Sequence, residues 1–281
     1  MPDPLQTETL AFIVLIGMIA GTLGGLLGVG GSVVMIPGLA LLYGTGEHQH
    51  LYQASAMAVN VAVAVPAARR HHQAGALVPG VLRWMLPAAL VAIVLGVLAS
   101  NLPIFADEQG GRWLGRVLAL FLVYVIIVNL LKLRLRVAQQ DESLDDARIT
   151  PPRCGFVGGV MGVTAGLLGV GGGAVAVPLQ HSVARVPLRN AIANSSFVMV
   201  FSAMIGASLK LATLDGHYAD TELTRPAWAT ALLFAAVLAP TAILGARLGA
   251  KLTHTLPLKW VRIAFVGLMI AAAYKMAALP V

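Results

Sequence analysis

Two copies of one glycine-rich heptapeptide are the residues of this sequence best suited to hold a ligand. Residues 25–31 read Gly-Leu-Leu-Gly-Val-Gly-Gly and recur letter for letter at residues 166–172, with Pro37 and Pro178 at the same distance behind them. Glycine lets a backbone approach a ligand closely, and the N-terminus of a following helix attracts anions. The repeat predicts two anion-binding turns. The alternative is that these glycines only permit tight helix crossing.

Polar side chains inside apolar segments are the second candidate feature. Asn60 lies midway along one apolar segment, and Asn194, Ser195 and Ser196 lie early in another. A polar group at membrane depth must face protein or a water-filled cavity, so these groups either donate to an anion or join helices to each other. The predicted substrate-binding residues are Gly28, Gly30, Gly31, Ser32, Asn60, Gly169, Gly171, Gly172, Gly173, Asn194, Ser195 and Ser196.

Other chemistry lacks the residues that it needs. Neither glycine copy is followed by the Lys-Ser/Thr of a phosphate loop, and no paired carboxylates, Ser/His pair or metal ligand set falls at membrane depth. We therefore predict no enzyme activity, cofactor or metal. His48 and His50 are expected to be exposed loop histidines rather than metal ligands. Lys210 is expected to snorkel from a helix end, with attraction of the anion as the alternative.

The composition indicates a membrane protein. The 281 residues are 58% hydrophobic and 11% charged, and the net charge of +7 lies in short loops between apolar segments rather than on a nucleic-acid-binding face. The apolar runs do not alternate as barrel strands do, so an all-α polytopic fold with about 8–10 membrane segments is predicted. The segments are roughly 10–27, 32–43, 51–69, 77–100, 113–133, 153–168, 173–184, 188–211, 226–250 and 260–279.

The repeat divides the chain into two halves. We predict a first transmembrane repeat over residues 1–138, a cytoplasmic linker over 139–152 and a second repeat over 153–281. Loop charges place the C-terminal end of segment 51–69 in the cytoplasm. For its partner segment, 188–211, they place the N-terminal end there instead. The halves are thus expected to be inverted, with glycine-broken helices or hairpins and both termini outside the cytoplasm.

Residues 21–37 and 162–178, each followed by an alanine- and serine-rich helix, resemble the sulfite exporter TauE/SafE family. The resemblance covers essentially the whole chain. It implies export of small sulfur oxyanions or organosulfonates, such as sulfite or sulfoacetate, across the inner membrane of a prokaryote. Family members usually carry a Thr-Ser or similar pair in the helix after each turn. This chain has Met57-Ala58 in the first half and Asn194-Ser195 in the second.

The predicted function is export of a small anion by alternating access, with the ligand between the two glycine turns. Every Asp and Glu lies near a terminus or in a loop, so we expect the membrane potential rather than a proton relay to drive the export. A passive anion channel on the same scaffold and a carrier of small carboxylates stay open as alternatives. The expected partners are the anion and the lipid bilayer, and the protein is expected to be a monomer or a homodimer.

Overall fold

The computed structural model describes residues 7–27, 30–44, 48–105, 108–134, 149–218, 225–252 and 258–277. These residues form ten α-helices and two short 3₁₀ helices, Pro103–Phe105 and Asp215–Tyr218. The α-helices are α1 Thr7–Leu27, α2 Ser32–Tyr43, α3 Gln49–Gln73, α4 Pro79–Ser100, α5 Glu108–Arg134, α6 Pro151–Leu168, α7 Gly173–Val183, α8 Leu188–Leu214, α9 Ala227–Leu252 and α10 Leu258–Ala277.

The prediction of an all-α polytopic membrane protein is confirmed. Each predicted apolar segment coincides with one helix, and among the described residues six helices are long and apolar enough to cross a membrane. The helix after each glycine turn is short, 12 residues in α2 and 11 in α7. At a rise of 1.5 Å per residue, 12 residues reach about 18 Å, which is shorter than the hydrocarbon core. Neither α2 nor α7 is therefore long enough to span the hydrocarbon core by itself.

Close helix packing joins the two halves of the chain. On α1, Gly17, Gly21 and Gly25 face the backbone of α9, where an added Cβ would collide with residues such as Ala242 and Ala246. The face of α6 at corresponding positions contacts α4 in the same way, through glycines four residues apart. Those glycines are Gly158, Gly162 and Gly166. Small residues at this spacing let helix backbones approach closely in membranes.

The centre of the protein is the contact between α3 and α8. Lys210, late in α8, lies against Gln53, early in α3, whereas Met199 and Asn60 meet around Gly171. Residues later in α3 thus contact residues earlier in α8, so the two helices are antiparallel. Gly115, early in α5, lies near Met276, late in α10, so this pair also runs antiparallel.

Two of the three buried apolar clusters among the described residues flank this centre. The larger lies mainly among α1, α2, α3, α5, α9 and α10, with Ile13 and Phe234 fully buried in it. The second lies among α3, α4, α6, α7 and α8, around Met85 and Met161. Cys154, expected to be a packing residue, is a free buried thiol in the second cluster. The clusters hold α3 and α8 in place, with the glycine turns at their sides.

Candidate functional site

A cavity of about 240 Å³ lies beside the first glycine turn. Gly30 and Gly31 of that turn border it, together with Ser195 and Ser196 of α8 and Gly173 at the start of α7. A space of this size holds several water molecules or a small hydrated anion. The cavity therefore brings five of the predicted binding residues to one place, from both halves of the chain.

Backbone conformation explains why glycine occupies the turn. Gly30 has φ +84, a left-handed conformation that side chains rarely adopt. Gly31 follows as the N-cap of α2, and its oxygen accepts hydrogen bonds from Val34 and Met35. The first N–H groups of a helix have no acceptor inside the helix. The positive end of the α2 dipole thus lies at the cavity wall.

Positive charge marks the mouth of the cavity. Arg70, near the end of α3, and Arg247, near the end of α9, both line the cavity and are exposed, whereas Gly31 and Ser195 are buried. His71 lies beside Arg70 on the same wall. Guanidinium groups remain charged and bind oxyanions through paired N–H donors. The cavity therefore combines exposed arginines with the buried N-terminus of α2 and Ser195, while apolar side chains such as Val63, Ile192 and Ile243 make up much of its remaining lining.

Ser32 and Asn60 lie outside the cavity lining. Both are buried, and Oγ of Ser32 and Nδ2 of Asn60 have no hydrogen-bond partner among the described residues. An unpaired polar atom in the interior costs roughly 1–3 kcal/mol. Such groups are commonly found where a ligand, an ion or a water molecule supplies the missing hydrogen-bond partner.

The second glycine turn packs directly against α3. Gly169, Gly171 and Gly172 have positive φ angles of +74, +39 and +68. A Cβ on Gly169 would lie 2.8 Å from Cβ of Gln53, and one on Gly171 would lie 2.8 Å from Nδ2 of Asn60. Gly169 and Gly171 thus permit close contact with polar side chains of α3, whereas Gly172 faces Met161 of α6, and none of the three is among the residues that line the cavity.

Asn194 belongs to a buried hydrogen-bond network instead of the cavity wall. Its Oδ1 accepts from the backbone N–H of Val78 at 2.9 Å, and its Nδ2 donates to Oε1 of Gln180 at 3.1 Å. Nε2 of Gln180 donates in turn to Oγ of Ser195 at 2.8 Å and to the backbone oxygen of Ala191. Of the two roles considered for Asn194, the structure favours joining helices. Ser195 takes part in both places, because it also lines the cavity.

The predicted binding residues thus fall into groups. Five line the cavity, namely Gly30, Gly31, Gly173, Ser195 and Ser196. Six are not among the lining residues, namely Ser32, Asn60, Gly169, Gly171, Gly172 and Asn194. Gly28 lies outside the described residues, as does most of the predicted linker. Arg70 and Arg247, which line the cavity, and Gln180, which bonds Asn194 and Ser195, are not among the binding residues predicted from the sequence.

The expectation that Lys210 snorkels to a helix end is wrong. α8 continues to Leu214, and Lys210 is 1% exposed. Its Nζ donates to Oε1 of Gln53 at 2.6 Å, to Oγ of Ser100 at 2.7 Å and to Nδ1 of His50 at 3.4 Å. The ammonium is therefore held inside the bundle by neutral groups.

The expectation that His50 is an exposed loop residue is also wrong. It lies in the first turn of α3 and is 3% exposed. Its Nε2 donates to the backbone oxygen of Phe105 at 2.9 Å, which leaves Nδ1 to accept from Lys210. Its ring stacks on His217 with centroids 3.8 Å apart. Among the described residues no group of three or more His, Cys, Asp or Glu is arranged to hold a metal ion.

Comparison with known proteins gives one consistent result. The model of the family described as sulfite exporter TauE/SafE matches residues 13–276. The probable membrane transporter protein MamO of Magnetospirillum gryphiswaldense is 28% identical over 93% of this chain, which spans only 44% of that relative. A probable membrane transporter protein of Haemophilus influenzae is 24% identical over 93% of this chain and 96% of its own length.

The probable membrane transporter protein YunE of Bacillus subtilis is 24% identical over 88% of this chain and 89% of its own length. Comparison with solved structures finds no match. The family and the names of these relatives indicate a multi-pass membrane transporter rather than an enzyme. The family match covers nearly the whole chain, and the protein therefore belongs to the sulfite exporter TauE/SafE family.

Proposed function

We propose that this transporter exports a small sulfur oxyanion or organosulfonate, such as sulfite or sulfoacetate, and binds it in the cavity beside the first glycine turn. The observation that carries the proposal is the cavity itself. It combines the N-terminus of α2, the hydroxyl groups of Ser195 and Ser196, and the guanidinium groups of Arg70 and Arg247. The helix N-terminus, the Ser195 hydroxyl and the guanidinium groups can donate hydrogen bonds or carry positive charge, which suits an oxyanion, whereas the Ser196 hydroxyl donates to Ile192 within its own helix.

The transport mechanism proposed is alternating access between two inverted repeats. The antiparallel contact of α3 with α8, which occupy matching places in the two halves, supports inversion. Repeats related by an axis along the membrane normal would instead run parallel. We place both termini outside the cytoplasm, in the inner membrane of a prokaryote, so that Arg70 and Arg247 face the cytoplasm. In this orientation the cavity receives its anion from inside the cell.

The proposed driving force is the membrane potential. The acidic side chains whose burial is described, Glu8 and Asp215, are exposed, and export of one negative charge down an inside-negative potential releases about 2.3 kcal/mol per 100 mV. Sulfite efflux from proteoliposomes should therefore rise with a potassium diffusion potential. Efflux that follows a pH gradient at zero potential would contradict this coupling.

Substrate flux in proteoliposomes tests the function. The purified protein is reconstituted, and the release of sulfite, methanesulfonate, sulfoacetate and acetate is compared with that from protein-free vesicles. We expect flux for the sulfur anions, and counterflow when unlabelled anion is present on the opposite side. Flux of acetate alone would favour a carboxylate carrier. Fast flux without counterflow would favour a channel, and no flux of any of these anions would contradict the proposal.

A further inference from the structure

Lys210 is a buried cation whose charge no described neighbour compensates. Its three acceptors are a glutamine oxygen, a serine hydroxyl group and an imidazole nitrogen, all uncharged. The ammonium is thus fully hydrogen-bonded but not neutralised. A buried charge without an opposite charge is costly in a membrane protein, and such residues commonly mark the path of an ion.

Unpaired amide donors extend from Lys210 along one face of α3. Gln49, Gln53 and Asn60 are separated by four and seven residues, which places them on the same side of the helix. All three are buried, and none of the amide nitrogens Nε2 of Gln49, Nε2 of Gln53 and Nδ2 of Asn60 has an acceptor among the described residues. A row of unsatisfied N–H donors beside a cation matches the needs of a passing anion.

The same face connects this row to the cavity. Met199 lines the cavity, and its sulfur lies 3.0 Å from the place of a Cβ on Gly171, beside Asn60. Gly169 of the same turn contacts Gln53, whose Oε1 binds Lys210. Met199 therefore lies both at the cavity and near Asn60, and its thioether is flexible.

We propose that Lys210, with the amide donors of Gln53 and Asn60, forms a second anion-binding site at the second glycine turn, on the side of the protein remote from Arg70. This inference rests on the proposed function and extends it. The anion leaves the cavity past Met199, moves along the polar face of α3 and is held by Lys210 before release. The ligand class is a small oxyanion such as sulfite or a sulfonate group, whose oxygens accept from the amide donors while the ammonium attracts its negative charge.

The substitution Gln53→Glu tests this site with little change of shape. It places a carboxylate where Oε1 now lies, 2.6 Å from Nζ, so Lys210 gains an internal partner and loses its attraction for a passing anion. We expect sulfite flux in proteoliposomes to fall at least about tenfold. The sulfite affinity of the cavity in the detergent-solubilised protein, measured by equilibrium dialysis, should remain within roughly threefold, because the cavity is untouched. A general disruption of the fold would lower both quantities.

The matched control is Gln73→Glu, the same change at an exposed position at the end of α3. Wild-type flux in a monodisperse Gln53→Glu protein would overturn the second site and leave the proposed function intact. Absence of flux in the wild-type protein would overturn the proposed function, and the second site with it. If Gln53→Glu does not fold, Lys210→Gln decides by the same two readouts. Loss of flux with binding retained supports the site, and unchanged flux overturns it.

Discussion

The side-chain oxygen of Asn194 in α8 accepts a 2.9 Å hydrogen bond from the backbone N–H of Val78, which immediately precedes α4. Val78 is the N-cap of that helix, and its side chain makes no capping hydrogen bond. The amide of Asn194 is completed on its other side by Gln180 of α7. One buried side chain therefore fixes the start of α4 and the course of α7 relative to α8.

Replacing Asn194 should reduce stability more than it reduces anion affinity. Asn194→Ala leaves the N–H of Val78 and the Oε1 of Gln180 without this partner, at a cost of about 1–3 kcal/mol. The thermal unfolding midpoint of the detergent-solubilised protein measures this effect. Ser196→Ala is the control, because Oγ of Ser196 donates only within its own helix, to Ile192. Equal midpoints for the two variants would contradict a joining role for Asn194.

Replacing a glycine of α6 should destabilise the protein only where that glycine faces α4. A Cβ on Gly162 would lie 2.7 Å from Cβ of Ala92 and 2.9 Å from the backbone nitrogen of Ile93, whereas one on Gly159 meets nothing within 4 Å. Gly162→Ala should therefore destabilise the protein by about 1–3 kcal/mol. Gly159→Ala should be neutral or stabilise the helix by up to ~1 kcal/mol. Thermal unfolding of the pair checks this, and similar midpoints would contradict the packing.

The two glycine turns should respond differently to alanine. A Cβ on Gly30 meets no atom within 4 Å. The only expected cost of Gly30→Ala is therefore that of placing alanine in a left-handed backbone conformation, roughly 1–2 kcal/mol. Gly171→Ala adds a collision with Asn60 to the same kind of backbone strain. We expect sulfite flux to be lost in Gly171→Ala and partly retained in Gly30→Ala. Full flux in a folded Gly171→Ala protein would contradict the close contact of this turn with α3.

Arg70 and Arg247 at the mouth of the cavity should increase the apparent affinity for the anion by attracting it. Arg70→Gln and Arg247→Gln are expected to raise the KM for sulfite by roughly tenfold at low ionic strength, with a smaller effect as salt screens the charges. Arg83→Gln is the control, since Arg83 is exposed on α4 and lies over the ring of Trp84, away from the cavity. A KM that is independent of salt in the wild-type protein would contradict electrostatic capture.

The helices and the place of the first turn were predictable because lipid imposes strong rules on sequence. The segment 32–43 coincides with α2. In lipid, the backbone N–H and C=O groups of an apolar run between a glycine turn and a polar loop must be hydrogen-bonded within the run, which requires a helix. The cavity-lining residues Gly30, Gly31 and Ser195 followed from glycine repetition and polarity within apolar segments.

Side-chain partners across the bundle were not predictable from spacing alone. Lys210 lies within four residues of the end of α8, and only the position of α3 against α8 shows that it points inward. A signal was present in Gln49, His50 and Gln53, three polar residues at the start of an apolar segment. The role of Asn194 likewise depends on Val78 and Gln180, which approach it only in the folded protein.

Filling the cavity tests the central claim most directly. Ser196 lines the cavity, and its hydroxyl group donates within its own helix, to Ile192, so Ser196→Leu fills the space without breaking a contact between helices. Ser182→Leu, at an exposed position on α7, is the control. Under an inside-negative potential, sulfite efflux should fall at least about tenfold in Ser196→Leu and stay at the wild-type rate in the control. Wild-type efflux from a folded Ser196→Leu protein would show that the anion does not bind beside the first glycine turn.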